Sequence, residues 1–101
     1  RLIVDSCEIT NENNIIVTHG TDTMTETANK LGEKNLQKTI VLTGAMIPYK
    51  FGTSDGLFNI ASALAYVQTL SNGVYVAMNG RVFSHDNVIK NKETGVFEEI
   101  K

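Results

Sequence analysis

Hydrophobic residues are concentrated in short β-branched runs that are separated by longer segments with helical spacing. Three of these runs are typical of buried strands: Ile15–Thr18, Thr39–Ala45 and Val74–Met78. Each run has a glycine or asparagine at its end or within two residues after it (Gly20, Gly44 and Asn79), which is where a strand can give way to a turn. We therefore predict three strands in this order.

The segments between the strands have the periodicity of helices. Thr23–Glu26 is a Ser/Thr-x-x-Glu capping box, which predicts a helix that ends near Gly32. Its apolar face is formed by Met24, Ala28 and Leu31. Ser54 and Asp55 supply N-capping oxygens to a second helix, Gly56–Leu70. Because this helix is apolar nearly all round, we expect it to be buried; one side of it carries Phe58, Ala61, Leu64, Ala65 and Gln68.

Three further segments complete the chain. Met46–Thr53, which holds the only proline, is predicted to be a loop. The dipeptide Asn79-Gly80 is a turn signal, after which Arg81–Phe83 extends the pairing as a short hairpin. Ser84–Lys101 is polar with isolated hydrophobic residues, and we expect a loop with a frayed end.

The alternation of strand and helix is typical of a parallel sheet that is covered on both faces. We therefore predict an α/β fold, a three-layer sandwich with a mostly parallel sheet at least three strands wide, with right-handed crossovers. Ligands of such sheets bind beyond the carboxyl ends of the strands, near helix N-termini. The residues at those ends are the first candidates for chemistry.

Composition excludes several classes of protein. The 101 residues, 42% of them hydrophobic and 20% charged, suffice for one domain, and no apolar run approaches the length of a transmembrane helix. The formal charge of −2, with scattered lysine and arginine residues, disfavours a nucleic-acid-binding protein. A single cysteine, Cys7, fits a reducing compartment, so we expect a cytoplasmic protein without membrane association.

The first strand ends in a polar segment, His19–Thr23, immediately before the capped helix. Gly20 permits a sharp turn or a close approach to a ligand. Thr21 and Asp22 place a hydroxyl beside a carboxylate, a pair that can attack a carbonyl, hold an amino group or orient another catalytic group. The alternative is that Thr21, Asp22 and Thr23 only satisfy free amides at the helix start.

The other candidates are weaker when they are considered alone. Thr43–Ala45 ends the second strand with small residues, which would form a shallow cradle beside Gly20, but neither segment matches a nucleotide-binding fingerprint. His19, His85 and Cys7 have no zinc-site spacing, and Cys7 has the features of a packing residue. We therefore expect no metal and no cofactor.

Lys90 follows the turn after the third strand and can return over the same carboxyl-end edge. A lysine partly removed from water can take a proton from a hydroxyl, and a hydroxyl needs such a base to become a nucleophile. A carboxylate such as Asp22 would hold the lysine in place. The alternative is a solvated surface lysine.

Several motifs, in one order, resemble the bacterial-type L-asparaginase/glutaminase family, and most closely its short, single-domain members. Val17–Thr27 (VTHGTDTMTET) resembles the family's second signature. The next strand and helix are matched by Thr43–Pro48 and by Ser54-Asp55-Gly56 with Asn59. The segment with the family's lysine is matched by Val74–Phe83 and Asn87–Asn91.

The resemblance implies hydrolysis of the side-chain amide of L-asparagine through a Thr-Lys-Asp triad of Thr21, Lys90 and Asp22 and a threonine acyl-enzyme. It further implies that Asp22 grips the α-amino group, that Gly20 lines the site through its backbone, and that Ser6 of Asp5-Ser6 binds the α-carboxylate. Thr21 and Asp22 are thus both catalytic and substrate-binding. A homodimer or homotetramer is implied, because family sites are completed across subunits; glutamine stays open as a second substrate.

Two of the departures from the family pattern bear directly on the site. The Thr-Gly-Gly-Thr-Ile signature with the first catalytic threonine is absent, and the stretch between Ser6 and Thr21 is shorter than the family pattern. We therefore expect residues 1–101 to form one incomplete asparaginase N-terminal-type domain, and this chain by itself to be weak or inactive. The alternatives are a non-catalytic amino-acid-binding or interaction domain and, on fold analogy alone, a nucleotide-binding domain.

Overall fold

The computed structural model describes residues 2–46 and 55–101. The helices are α1 (Leu2–Ile9), α2 (Met24–Lys34) and α3 (Gly56–Thr69). The strands are β1 (Asn14–Thr18), β2 (Thr39–Thr43), β3 (Gly73–Met78), β4 (Arg81–Ser84), β5 (Ile89–Lys90) and β6 (Phe97–Glu98). The three predicted strands and the two predicted helices are thus confirmed, with ends that differ by a few residues.

The first four strands form one mixed sheet in the order β1-β2-β3-β4. β1 pairs parallel with β2 and β2 pairs parallel with β3, so that Ile16 lies beside Val41 and Val41 beside Tyr75. β4 returns antiparallel to β3, with Phe83 opposite Val76. The carboxyl ends of β1, β2 and β3 therefore meet at one edge of the sheet.

Two hydrophobic clusters cover the two faces of this sheet. On one face, alternate residues of β2 and β3 pack against α1 and α2 (Ile40, Leu42, Val74, Val76 and Met78 with Val4, Cys7, Met24, Ala28 and Leu31). On the other face, Val41 and Ala77 pack against Ala63 and Val67 of α3. Every residue of β2 is buried, as in a central parallel strand. The predicted three-layer α/β sandwich is confirmed.

The start of α2 lies where it was predicted, but the capping box does not form. Thr23 is the N-cap residue and its side chain makes no capping hydrogen bond. The helix passes through Gly32 and ends at Asn35, whose φ of 51° is left-handed. A Cβ atom on Gly32 would require the ring of His85 to shift. The last helical residue is Lys34, so the predicted stop at Gly32 was two residues too early.

Only one side of α3 is buried, which corrects the expectation of a helix buried all round. The side against the sheet carries Gly56, Asn59, Ala63 and Val67. The exposed side carries Leu57, Phe58, Ile60 and Leu64 at 70%, 58%, 43% and 53% exposure. Small residues let the helix approach the sheet, and the larger ones point away. The side that carries Phe58, Ala61, Leu64, Ala65 and Gln68 is therefore the exposed one.

The first helix, α1, was not predicted. Lys38, just before β2, donates hydrogen bonds to the carbonyls of Cys7 (2.6 Å) and Thr10 (2.7 Å), so that a cation sits at the C-terminal end of α1. Cys7 is buried at 4% exposure, and burial raises the pKa of its thiol, against a smaller opposing effect of Lys38. Cys7 is a packing residue, as the sequence indicated.

The C-terminal segment is more regular than expected. Asn79 and Gly80 have φ values of 56° and 79°, which is a type I′ hairpin turn, and Arg81–Phe83 pairs as predicted. Beyond Ser84, however, β5 and β6 form a second, antiparallel sheet where a loop was predicted. Val88 and Phe97 anchor this sheet in the core, at 4% and 1% exposure.

Most of the predicted loop Met46–Thr53, and the predicted capping residue Ser54, lie outside the described residues. Asp55 is the N-cap residue of α3, but its carboxylate makes no cap hydrogen bond to that helix. It accepts instead from the backbone N–H of Met46, at 2.8 and 3.1 Å. Within residues 2–46 and 55–101, no helix has the length and apolar character needed to cross a membrane.

Candidate active site

The ends of β1 and β2 approach each other closely at the carboxyl edge of the sheet. The N–H of His19 donates to the carbonyl of Thr43 (2.9 Å) and so extends the parallel ladder by one bond beyond β1. At Gly44 a Cβ atom would collide with the carbonyl oxygen of His19. Glycine is therefore required here, because any side chain would push the two strand ends apart.

A cavity of about 330 Å³ opens at this edge, lined by Thr18, His19, Gly20, Gly44, Ala45, Gly56 and Ile60. A Cβ atom on Gly20 would meet nothing within 4 Å, and its φ does not lie in the left-handed region. Gly20 is thus not needed for a sharp turn. It leaves open space in which a ligand can approach the backbone closely.

Lys90 reaches the two residues that follow Gly20. Its Nζ donates to Thr21 Oγ1 at 2.9 Å and to Asp22 Oδ1 at 2.7 Å. The side chain of Lys90 is 19% exposed, whereas that of Asp22 is 91% exposed. One ammonium group, largely shielded from water, therefore joins the hydroxyl to the carboxylate.

The second sheet explains why Lys90 lies there. Val88 and Phe97 are buried in the core, and Lys90 pairs with Phe97 across β5 and β6. The turn between them is closed by Asn91, whose side-chain oxygen accepts from the N–H groups of Glu93 (2.9 Å) and Thr94 (3.2 Å). A short hairpin that is anchored at both ends thus delivers the lysine to the edge of the main sheet.

Two lysines determine the electrostatics around Asp22. The hydrogen bond from Lys90, and then its charge, hold the pKa of Asp22 below its ordinary value, with a smaller contribution from the charge of Lys92. Asp22, Lys90 and Lys92 line a cavity of about 460 Å³. Oδ1 of Asp22 accepts the hydrogen bond from Lys90, and the ammonium group of Lys92 is a second positive charge in the lining of the same cavity.

The contacts disfavour the interpretation of this segment as a simple helix cap. Thr23 makes no side-chain cap bond. For Thr21 and Asp22, the side-chain hydrogen bonds within the described part of the chain go to Lys90. The hydroxyl and the carboxylate thus serve a tertiary cluster rather than the free amides of α2.

Ser6 does not join this cluster. It lies on α1 and lines a different cavity of about 600 Å³, between α1 and β1, with Cys7, Thr10 and Thr18 among its neighbours. The contact of Ser6 with the substrate α-carboxylate stays a prediction; among the described residues, Ser6 lines this cavity and not the cavities beside Gly20 or Lys90. The structure brings together Thr21, Asp22 and Lys90, next to Gly20.

Sequence reasoning assigned no role to two residues near the site, although it quoted one of them, Asn59, in the family match. Lys92 lies two residues after Lys90 in a polar segment, where no local pattern distinguishes it from other surface lysines. Asn59 is fully buried and joins three elements: its Nδ2 donates to Gly44 O (2.8 Å) and Asp55 Oδ2 (3.1 Å), and its Oδ1 accepts from the N–H of Asn79 (3.0 Å). A polar residue in the first turn of a largely apolar helix, four positions after an aspartate, was the available signal for Asn59.

No group of three or more histidine, cysteine or acidic side chains that could hold a metal ion occurs among residues 2–46 and 55–101. The chemistry of the cluster is that of a hydroxyl, an amine and a carboxylate. Such a group can activate a nucleophile by proton transfer and can bind a charged small molecule.

Comparison with known proteins gives consistent matches over most of the chain. A sequence profile of the family described as "Asparaginase, N-terminal" matches residues 4–98. Glutaminase-asparaginase from Acinetobacter glutaminasificans is 40% identical over 82 residues, which are 77% of this chain and 25% of that protein. L-asparaginase 2 from Escherichia coli (strain K12) is 39% identical over 85 residues, which are 80% of this chain and 24% of that protein.

Solved structures agree with the sequence matches. The thermostable L-asparaginase from Thermococcus kodakarensis superposes with a TM-score of 0.81 and 28% identity, covering 98% of this chain and 31% of that one. The chain spans about a quarter of the length of these curated relatives. Because residues 4–98 match the model of its N-terminal domain and the fold is shared, this chain belongs to the asparaginase family.

Proposed function

We propose that the protein is an amidohydrolase that converts L-asparagine to L-aspartate and ammonia, with Thr21, Lys90 and Asp22 as its triad. The proposal depends on the position of Lys90 Nζ, 2.9 Å from Thr21 Oγ1 and 2.7 Å from Asp22 Oδ1. The names of the relatives, which are asparaginases and glutaminase-asparaginases, support the substrate class.

In the first step, Lys90 reacts as the neutral amine: Thr21 Oγ1 forms a bond to the amide carbon while its hydroxyl proton passes to the lone pair of Lys90 Nζ. Collapse of the tetrahedral intermediate breaks the carbon–nitrogen bond, and Lys90 delivers a proton to the leaving ammonia. Water then attacks the acyl-enzyme, which releases aspartate and restores the hydroxyl of Thr21. Asp22 keeps the amine of Lys90 in line with Oγ1 throughout.

The oxyanion that develops on the amide oxygen needs hydrogen-bond donors that are already in place. The backbone N–H of Thr21 has no acceptor in the described part of the chain, and it belongs to the residue whose hydroxyl attacks. It is therefore the donor that this domain offers to the oxyanion.

The charges around Asp22 match those of an α-amino acid. Oδ2 of Asp22 is available for the α-ammonium group, since Oδ1 is bound by Lys90. Lys92, in the same cavity, offers a cation to the α-carboxylate. A zwitterion thus meets one negative and one positive partner, which leaves the side-chain amide to reach Thr21; asparagine and glutamine both have this arrangement.

The protein acts as a homodimer or homotetramer in this proposal, with α3 as a contact face. Leu57, Phe58, Ile60 and Leu64 are exposed there, and the helix has no charged residue. An uncharged apolar face can meet its own copy without repulsion between like charges. Leu64→Lys should reduce the molecular mass measured by sedimentation at a given concentration; an unchanged mass would reject this face.

Ammonia release from L-asparagine, with L-glutamine in parallel, tests the proposed reaction in the full-length protein, because the 101 residues by themselves are expected to be weak or inactive. Thr21→Val and Lys90→Met should each reduce the rate by at least about a thousandfold, because the nucleophile and its proton acceptor act as one unit. Lys30→Met, at an exposed lysine of α2, is the matched control and should leave the rate unchanged. Turnover retained in both active-site variants would reject the triad.

Calorimetry with L-aspartate distinguishes the alternative function. Binding of aspartate without ammonia release from asparagine would favour a non-catalytic amino-acid-binding domain with the same cluster. Absence of both binding and turnover would reject both functions.

A further inference from the structure

The ring of His19 is held between two partners beside the triad. Nδ1 lies 2.7 Å from the carbonyl oxygen of Gly20, and Nε2 lies 2.8 Å from Thr27 Oγ1. A carbonyl oxygen can only accept, so the hydrogen must be on Nδ1. In the neutral ring Nε2 is then an acceptor, and the hydroxyl of Thr27 donates to it.

The backbone and the Thr27 partner of His19 are both fixed. Its N–H is bound to the Thr43 carbonyl at the end of β2, and Gly44 packs directly against its carbonyl oxygen. Thr27 is in the first turns of α2, where its own N–H is bound to the Thr23 carbonyl (3.2 Å). The ring therefore connects the end of β1 to α2.

Gly20, in contrast, has little else to hold it. A Cβ atom there would meet nothing within 4 Å, and His19 is the hydrogen-bond partner that the described residues provide for the Gly20 carbonyl. The peptide between Gly20 and Thr21 is trans, so the N–H of Thr21 points away from that carbonyl. The direction of the Thr21 N–H thus depends on the bond from His19.

We propose that His19 is a positioning residue: through the Gly20 carbonyl it orients the Gly20–Thr21 peptide, so that the N–H and hydroxyl of Thr21 face the substrate amide. Thr27 keeps the ring in the tautomer that this bond requires. The inference rests on the proposed function, because it gives the Thr21 N–H the oxyanion as its acceptor. Both ring nitrogens of His19 are engaged by Gly20 and Thr27, so His19 acts on Thr21 through the Gly20 carbonyl.

Paired substitutions separate this role from simple packing. The amide nitrogen of His19→Asn stands where Nδ1 stands and can still donate to the Gly20 carbonyl, whereas His19→Gln extends its amide toward Nε2 and Thr27. We expect His19→Gln to lower kcat about 10- to 100-fold with KM within about twofold, since a misdirected oxyanion donor costs less than a deleted one. His19→Asn should retain kcat within about threefold.

Thr27 provides an independent test that leaves His19 unchanged. Thr27→Val is nearly isosteric and removes the hydroxyl that donates to Nε2, so the ring is free to move its hydrogen to Nε2 and release Gly20. Thr27→Ser retains the hydroxyl. We expect Thr27→Val to lower kcat and Thr27→Ser to preserve it. Equal kcat in both Thr27 variants, or in His19→Gln and His19→Asn, would overturn the proposal.

Nitrogen NMR of the His19 ring separates this inference from the proposed reaction, because it needs no turnover. The wild-type ring should show a protonated Nδ1 and a bare Nε2, and Thr27→Val should shift the population toward protonated Nε2. The backbone amide signal of Thr21 should move in Thr27→Val and in His19→Gln but not in Thr27→Ser. If the protein releases no ammonia, the reaction is rejected and these signals decide the role of His19; a protonated Nε2 in the wild type overturns it.

Discussion

Replacing Asn59 by alanine should remove the hydrogen bonds that tie together the loops at the carboxyl edge of the sheet. Asn59 is fully buried and joins the end of β2 (Gly44), the start of α3 (Asp55) and the β3–β4 turn (Asn79). Each hydrogen bond has a net worth of about 1 kcal/mol, and the deleted amide leaves a small cavity as well. We therefore expect a loss of about 3–4 kcal/mol in the free energy of unfolding.

Urea denaturation followed by circular dichroism measures this loss. For a small domain with an m value of about 1.5–2 kcal/mol per molar, the midpoint should fall by about 2 M without a change in slope. Asn29→Ala is the matched control, because Asn29 is exposed and its recorded side-chain bond is to His85 (3.1 Å). Asn59→Asp should be at least as destabilising, since a carboxylate cannot donate to the Gly44 carbonyl and repels Asp55.

A loss below about 1 kcal/mol for Asn59→Ala would refute this reasoning, since one hydrogen bond alone accounts for that amount. A loss of similar size in Asn29→Ala would refute it too. It would show that the effect comes from substitution of an asparagine rather than from the buried link.

Three further predictions concern the carboxyl edge of the sheet. Gly44→Ala should destabilise the fold by about 2 kcal/mol or more in the same urea experiment, because its Cβ would overlap the carbonyl oxygen of His19. In Gly20→Ala the Cβ would meet open space, so this variant should leave stability unchanged while weakening aspartate binding. The hydrogen bond from Lys90 lowers the pKa of Asp22, so the contribution of this pair to stability is fully present above the unfolded-state pKa and is lost as the pH falls through the folded pKa. An NMR titration should show the pKa of Asp22 returning toward its ordinary range in Lys90→Met. An unchanged pKa would contradict the pairing. Lys92→Gln should raise KM for L-asparagine several-fold but not KM for 3-aminopropanamide, which lacks the carboxylate; equal effects on the two substrates would exclude Lys92 as the carboxylate partner.

The sequence alone was sufficient for the elements whose signal is local. β-branched runs identified β1, β2 and β3, and their alternation with helical spacing identified the layered sheet, because strand pairing and helix faces follow directly from periodicity. The motif order placed a hydroxyl and a carboxylate after β1. In the same way, Asn79-Gly80 identified the hairpin turn, since few residues adopt two successive positive φ values.

Other features depend on contacts between residues that are distant in the chain. Which side of α3 is buried was decided by how closely its small residues approach the sheet, and periodicity could not reveal this in a helix apolar on all sides. Lys90 meets Thr21 only because Val88 and Phe97, themselves isolated in a polar segment, pack into the core and carry the lysine to the edge of the sheet. The burial of these two side chains thus brings Lys90 to Thr21 and Asp22, and this packing cannot be predicted from a local sequence pattern.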